Sequence, residues 1–442
     1  MTQHPMEIDQ LIHARWVIPI IPENTIYEHF AVALNDEKII AILPSATANT
    51  RYHARKVFNL DNHILLPGLI NAHGHAAMAL FRGYADDLPL MEWLEGYIWP
   101  AEGKWVSETF VKDGTELAIA EMILNGTTSF SDMYFFPNIA AASAIASGIR
   151  SQFSSPILQF PSPWANNAAE YLQKAMDVYQ QFKSNQLTQI ILGPHAPYTV
   201  EDDTFTKVVE LSREHDLCIQ LHLHETAYEV MESEKIHSAR PIERLHKLGV
   251  LSEKTQCVHM TQINDRDIEI LQASAAHVVH CPKSNLKLAS GFCPVDRLQK
   301  SNINVCLGTD GASSNNNVDI FNELNVAALL GKGVAMDAAA LDAHSVLRMA
   351  TINGAKALNQ ADRLGTLEQG KLADMIAVDV DHIESQPLYD AASHLVYLGN
   401  GTRVSHSWVN GKLLLENRQL QTLSYVEILE KAKWWGEKIR GG

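Results

Sequence analysis

The sequence has no apolar run long enough to span a bilayer, and residues 1–10 are polar, without the apolar core of a secretion signal. A cytoplasmic setting with no membrane partner is the resulting expectation. Cysteine is scarce: Cys218, Cys257, Cys281, Cys293 and Cys306 are an odd set, and no two of them form a CxxC pair. That argues against a disulfide framework and against a zinc site built from thiolates, and leaves small buried thiols. Basic residues are outnumbered, 35 Lys and Arg against 51 Asp and Glu, for a formal net charge of -16. A polyanionic partner such as nucleic acid has no basic stripe to bind. No GxGxxG follows an early strand, which removes support for a dinucleotide site on a doubly wound open sheet. There is no internal repeat and no low-complexity tract.

What remains is a globular chain of 442 residues, 46% hydrophobic, with room for one large domain and a smaller one. Short strand-like runs with turns between them occupy the first 65 or so residues and return at 373–378, 404–409 and 412–415, with Asn410-Gly411 as a hairpin signal. Between them, apolar runs alternate with long amphipathic stretches such as 106–124, 166–181, 202–215 and 319–330, the pattern of a parallel sheet. Strand candidates fall at 64–70, 127–132, 150–158, 189–193, 218–224, 256–259, 276–281 and 303–309. Eight strands in this length predict an α/β fold, a TIM-type (β/α)8 barrel over 66–369. Residues 1–65 and 370–442 would together build a small β-sandwich.

Barrel enzymes carry their chemistry at the carboxyl ends of the strands. Strand 1 ends in His73-Gly74-His75, whose i, i+2 spacing puts both imidazoles on one face. Strand 4 ends at His195, strand 5 in His222-Leu223-His224-Glu225, strand 6 at His259 and strand 8 at Asp310. Packing does not require a histidine or aspartate at five of eight strand ends. A metal ion held by imidazole and carboxylate does.

Those residues lie in the stretches PGLINAHGHAAMALFRGYADDLPLMEWL, GPHAPYT, HLHET, CVHM, SNLKLASG and LGTDGASSNN, followed by GKLADMIAVD. In these, and in their order, the chain resembles the amidohydrolase superfamily, and within it the 5-methylthioadenosine/S-adenosylhomocysteine deaminases. The resemblance implies His73, His75, His222 and Asp310 as metal ligands. Strand alternation alone leaves His222 and His224 equivalent; the family's HxxE pattern, His222 to Glu225, selects His222. Strand 4 ends without the lysine that bridges two ions in another branch, which implies one divalent ion, zinc first and iron second.

The implied reaction is hydrolytic loss of the adenine C6 amino group from a purine nucleoside. Such chemistry needs a water made nucleophilic near neutral pH, which a bound divalent metal provides. Asp310 would take the water's proton, His259 would orient it, and Glu225 would protonate purine N1 and the departing ammonia. Glu102, His195 and Trp93, with Glu225 and Asp310, would contact the substrate, Glu102 at the ribose hydroxyls. A homo-oligomer, dimer or tetramer, is also expected. Tyr134-Phe135-Phe136 either line a slot for the methylthio tail or pack the barrel rim. One departure stands out: the segment 155–164 lacks the arginines that in other members reach the homocysteine carboxylate. Methylthioadenosine is therefore expected to be a better substrate than S-adenosylhomocysteine. The alternatives are a guanine-type or triazine-type hydrolase of the same superfamily, and an inactive scaffold. The scaffold would have lost Glu225, Asp310 or a ligand histidine, and the sequence retains them all.

Overall fold

At Gly68 the chain passes from one sheet into another. The computed structural model describes residues 4–399 and 401–441; residues 1–3, Asn400 and Gly442, all within the expected terminal segments, lie outside it. The run 64–70, expected as a single barrel strand, is divided. Its first part belongs to the strand Tyr52–Pro67, where Leu66 and Pro67 pair antiparallel with Ile376 and Met375. Its second part, Leu69–Asn71, pairs in parallel with Thr127–Asp132. A continuous apolar run cannot reveal the change, because both pieces are buried on both faces. Only glycine fits at the crossing: a Cβ on Gly68 would sit 2.0 Å from Thr128 Oγ1.

The remaining barrel strands are Arg150–Ile157, Thr188–Pro194, Ile219–Leu223, Thr255–His259, His277–His280 and Val305–Leu307, each hydrogen-bonded to the next. All these pairings are parallel. Strand eight closes onto strand one through Ala72 N–H to Leu307 O at 2.9 Å and Asp310 N–H to His73 O at 3.1 Å. The expected (β/α)8 barrel is therefore present. Its centre is filled by glutamines: Gln220 donates to Gln256, Gln256 to Gln152, and Gln152 to Gln189, at 2.5, 2.9 and 3.1 Å. These amides satisfy one another, which lets polar side chains fill the barrel centre.

The second sheet has eight strands, in the order Gln419–Leu420, Lys412–Glu416, Val404–Val409, Met375–Asp379, Tyr52–Pro67, Met6–Val17, Tyr27–Asn35 and Lys38–Pro44. Residues from both ends of the chain share one apolar cluster, among them Ile12, Val32, Phe58, Met375 and Trp408. Asn410 and Gly411 both take positive φ, 55° and 72°, as the expected tight hairpin turn demands. The last helix, Tyr425–Gly441, packs on the barrel helix Glu108–Leu124, with Trp435 Nε1 donating to Asp113 at 3.0 Å. All five cysteines are buried and unpaired. Among the described residues no helix is long and apolar enough to cross a membrane.

Sheet and barrel are joined by a buried ion pair. Arg150, at the start of the third barrel strand, donates Nε and Nη2 to the two oxygens of Asp374 at 2.8 and 3.1 Å, and Nη2 also reaches Asn410 Oδ1. Asp374 also accepts the Asn410 N–H at 2.7 Å. Asp374→Ala would leave the guanidinium buried without its counter-charge. It should cost about 3–5 kcal/mol, read as a lower urea midpoint, while a double replacement of Arg150 and Asp374 by apolar residues should recover most of the loss.

Candidate metal centre and active site

The carboxyl ends of strands one, five and eight bring His73, His75, His222 and Asp310 together, with one ligand atom from each lying within 4.8 Å of the others. His73 Nε2 and His75 Nε2 stand 3.6 and 3.1 Å from Asp310 Oδ1. Each imidazole is held from behind. His73 Nδ1 meets Gln220 Oε1 at 2.9 Å, His75 Nδ1 meets the Met133 carbonyl at 2.6 Å, and His222 Nδ1 meets the His195 carbonyl at 2.9 Å. An acceptor at Nδ1 fixes the proton there and turns the Nε2 lone pair inward, as a metal ligand requires. His73 Nε2 is buried with no hydrogen-bond partner. Three inward nitrogens, one of them orphaned, and a carboxylate suit one divalent ion.

Charge supports the same reading. Burial lowers the His73 and His222 imidazoles, so both are neutral near pH 7. At His75 burial also acts downward, but Asp310 overcomes it and raises the group to about 9. His75 and Asp310 thus seat one positive charge between them, and a proton and a metal ion compete for it.

His224 points elsewhere. It takes a left-handed φ of 53°, its Nδ1 meets the Gln262 carbonyl at 2.9 Å, and its Nε2 accepts the Ile242 N–H at 3.1 Å. The strand has ended at Leu223, so alternation no longer applies to it. His259 and Asp310 also have positive φ, 77° and 61°. Non-glycine residues are rarely held there, and such strain gathers at functional sites.

Around the four candidate ligands stand the expected acid and base groups. Glu225 Oε2 lies 3.8 Å from His259 Nε2, and its Oε1 accepts Ser290 Oγ–H at 3.2 Å. Burial, helped by the charge on Asp310, pushes Glu225 up to about 8, so it is protonated near neutrality. His259 Nδ1 meets Asn285 Oδ1 at 2.8 Å, which leaves Nε2 as an acceptor. Asp310 Oδ2 accepts the hydroxyls of Ser284 and Ser314 at 2.6 and 2.9 Å.

A cavity of about 510 Å³ opens above this floor. Its walls include Trp93, Glu102, Tyr134, Phe135, His195, Glu225, His259 and Asp310, so every expected substrate residue reaches it. Glu102 sits on the short helix Trp99–Trp105, is 9% exposed, and is pushed by burial up to about 7. His195 Nδ1 meets Thr199 Oγ1 at 3.1 Å, and burial drops the imidazole to about 3. Of the aromatic run, Tyr134 and Phe135 line the cavity, while Phe136 packs against Trp164 with ring centroids 5.3 Å apart.

Sequence reasoning missed the supports: Gln220 behind His73, Asn285 behind His259, the two serines on Asp310, and Glu229. Glu229 accepts the backbone N–H groups of His224 and Glu225 at 2.9 and 2.8 Å. Gln220 had a signal, since it lies two residues before His222 on the same strand face. The serines and Asn285 lay unexamined within SNLKLASG and LGTDGASSNN.

Metal analysis separates the two histidines of strand five. His222→Ala should abolish stoichiometric metal binding. His224→Ala should keep the metal but lower the melting temperature by several degrees, since it orphans the Ile242 N–H.

Comparison with known proteins follows the same line. The model of the Amidohydrolase family matches residues 64–414. The 5-methylthioadenosine/S-adenosylhomocysteine deaminase of Saccharophagus degradans is 50% identical, over 98% of this chain and 97% of its own. That of Aquifex aeolicus is 40% identical over 95% of this chain and 96% of its own. The crystal structure of an adenosine deaminase from Xanthomonas campestris with bound zinc superposes with a TM-score of 0.98, at 42% identity, covering 99% of this chain and all of that one. An atrazine chlorohydrolase from Arthrobacter aurescens shares the fold, with a TM-score of 0.91 at 22% identity over 96% of this chain and 99% of its own. The chain belongs to the amidohydrolase family, and within it to the group of the 5-methylthioadenosine/S-adenosylhomocysteine deaminases.

Proposed function

We infer that this protein is a zinc-dependent hydrolase that converts 5′-methylthioadenosine to its inosine analogue and ammonia, with His73, His75, His222 and Asp310 holding the ion. The observation that carries this reading is one cavity with the buried carboxyl of Glu225 beside the ligand cluster and a second buried carboxyl, that of Glu102, in its wall. A free base such as guanine, or a triazine, offers no vicinal diol to Glu102. When bound, the ion supplies Lewis acidity that makes a water nucleophilic near neutral pH.

The protein's own groups do the rest. Asp310, its Oδ2 anchored by Ser284 and Ser314, takes the proton that water gives up as it adds to C6. His259 accepts a hydrogen bond at Nε2 and aims the water, with Asn285 holding the ring. Glu225 gives its proton to purine N1 as C6 becomes tetrahedral, then relays the new C6 hydroxyl's proton to the amino nitrogen, which leaves as ammonia as the C6 carbonyl forms; the proton held by Asp310 then restores Glu225. Glu102 accepts the ribose 2′ and 3′ hydroxyls, His195 lies against the nucleoside, and Trp93 supplies an apolar wall. The described cavity lining contains no lysine or arginine to pair with a homocysteine carboxylate, which supports methylthioadenosine ahead of S-adenosylhomocysteine. Self-association into a dimer or tetramer is part of the same proposal, checked by light scattering.

Zinc-loaded protein should abolish the adenine absorbance of methylthioadenosine, with kcat/KM about tenfold above that for S-adenosylhomocysteine, the size of one unmade charged contact. Glu225→Gln should lower kcat by about 10²–10⁴ without loss of zinc. Glu102→Gln should act mainly by raising KM. If no 5′-thioadenosine is turned over, the reading is wrong.

A further inference from the structure

Glu102 does not face the cavity alone. Tyr134 follows the second barrel strand, in the turn that also carries Met133, whose carbonyl holds His75 and whose N–H donates to the Gly74 carbonyl at 2.9 Å. The metal-side backbone therefore fixes where Tyr134 stands. Its ring centroid lies 6.4 Å from that of His75 and 5.3 Å from that of Phe135. The side chain is 6% exposed, and its hydroxyl is buried without a partner in hydrogen-bond geometry. Glu102 lines the same cavity wall and is the carboxyl that acts most strongly on the phenol. A buried hydroxyl left unpaired in the wall of a ligand cavity calls for an explanation, and such contacts often tighten only when substrate binds.

A vicinal diol needs an ionised carboxylate with a fixed orientation. Burial works against the ionised form of Glu102. A neighbouring donor works for it, since hydrogen bonds to the charged form stabilise that form. Burial also keeps the phenol protonated, and so a donor, throughout the working pH range. Phenol and carboxylate are then complementary, one giving a proton and the other with lone pairs to spare for sugar hydroxyls.

We propose that Tyr134 is a positioning residue for the ribose: its hydroxyl donates to Glu102 and holds that carboxylate for the 2′ and 3′ hydroxyls, so that the site selects ribonucleosides over 2′-deoxynucleosides. The proposal rests on the deaminase reading and on Glu102 as the sugar contact. It assigns no part of the bond chemistry to Tyr134.

The test compares 5′-methylthioadenosine with its 2′-deoxy analogue in the full-length zinc enzyme. Tyr134→Phe removes one oxygen. It should raise KM for methylthioadenosine about tenfold, with kcat changed by less than about threefold and zinc content intact. The ratio of kcat/KM for the ribo over the 2′-deoxy substrate should fall toward that of Glu102→Gln. A general packing defect would weaken both substrates alike, so an unchanged ratio overturns the assignment. Should Tyr134→Phe not fold, Tyr134→His, which keeps a ring and a donor, should retain part of the preference; full retention or complete loss of it counts against the proposal. If wild type discriminates through Glu102 and Tyr134→Phe does so equally well, only Tyr134 is misassigned. If wild type deaminates neither nucleoside, both this proposal and the deaminase reading fall.

Discussion

Three imidazoles can serve one cation only if each turns the same nitrogen toward it, and this requirement organises the barrel mouth. The acceptors that impose it come from separate places: a side chain inside strand five, a carbonyl after strand two, and a carbonyl after strand four. Gln220 is the most constrained of them. Its amide nitrogen is committed to the Ala72 carbonyl, Ser131 Oγ and Gln256 Oε1. Its oxygen must therefore face His73, and His73 must carry its proton at Nδ1. The glutamine chain through the barrel centre thus sets a tautomer at the rim, and packing of the interior becomes chemistry at the site.

The same low-dielectric surroundings act differently on the carboxylates. Asp310, among imidazoles and anchored by two hydroxyls, is held well below the ordinary carboxylate range even though burial opposes this. Glu225, a few ångströms from His259 and walled by buried side chains, is pushed the other way. Two acids in one pocket are driven apart, one toward the ionised form and one toward the protonated form. Glu102 lies between these extremes, and a carboxylate so placed depends on its neighbours for the form it takes.

Periodicity served the sequence reading well wherever a strand was continuous and buried. Residues 127–132 form a strand with those bounds, and the paired histidines 73 and 75 do converge. It failed where geometry changed between adjacent residues. Alternation treats His222 and His224 alike, but the strand stops between them and the backbone turns left-handed at His224. The run 64–70 has one composition and two sheets, because the step at Gly68 depends on the distant Thr128. The aromatics after strand two could not be sorted, since a turn aims Tyr134 and Phe135 at the cavity and Phe136 at Trp164. The candidate ligands and the candidate acid were legible as residue types at strand ends. Their supports were not, because serine, asparagine and glutamine are commonplace until a partner is known.

The second sheet imposes an order in time. Strand Tyr52–Pro67 is flanked on one side by Met6–Val17 and on the other by Met375–Asp379, which leaves the ribosome some three hundred residues later. During synthesis the early strands must wait with an unpaired edge while the barrel is made, and exposed edges invite pairing with other chains. The long parallel stretch they form together, from Met6 beside Tyr52 to Val17 beside Leu65, gives them a partner of their own meanwhile. Completion of the metal-binding barrel and completion of the sheet are then linked events, since Leu69, the first barrel residue, hangs directly from the strand that has been waiting.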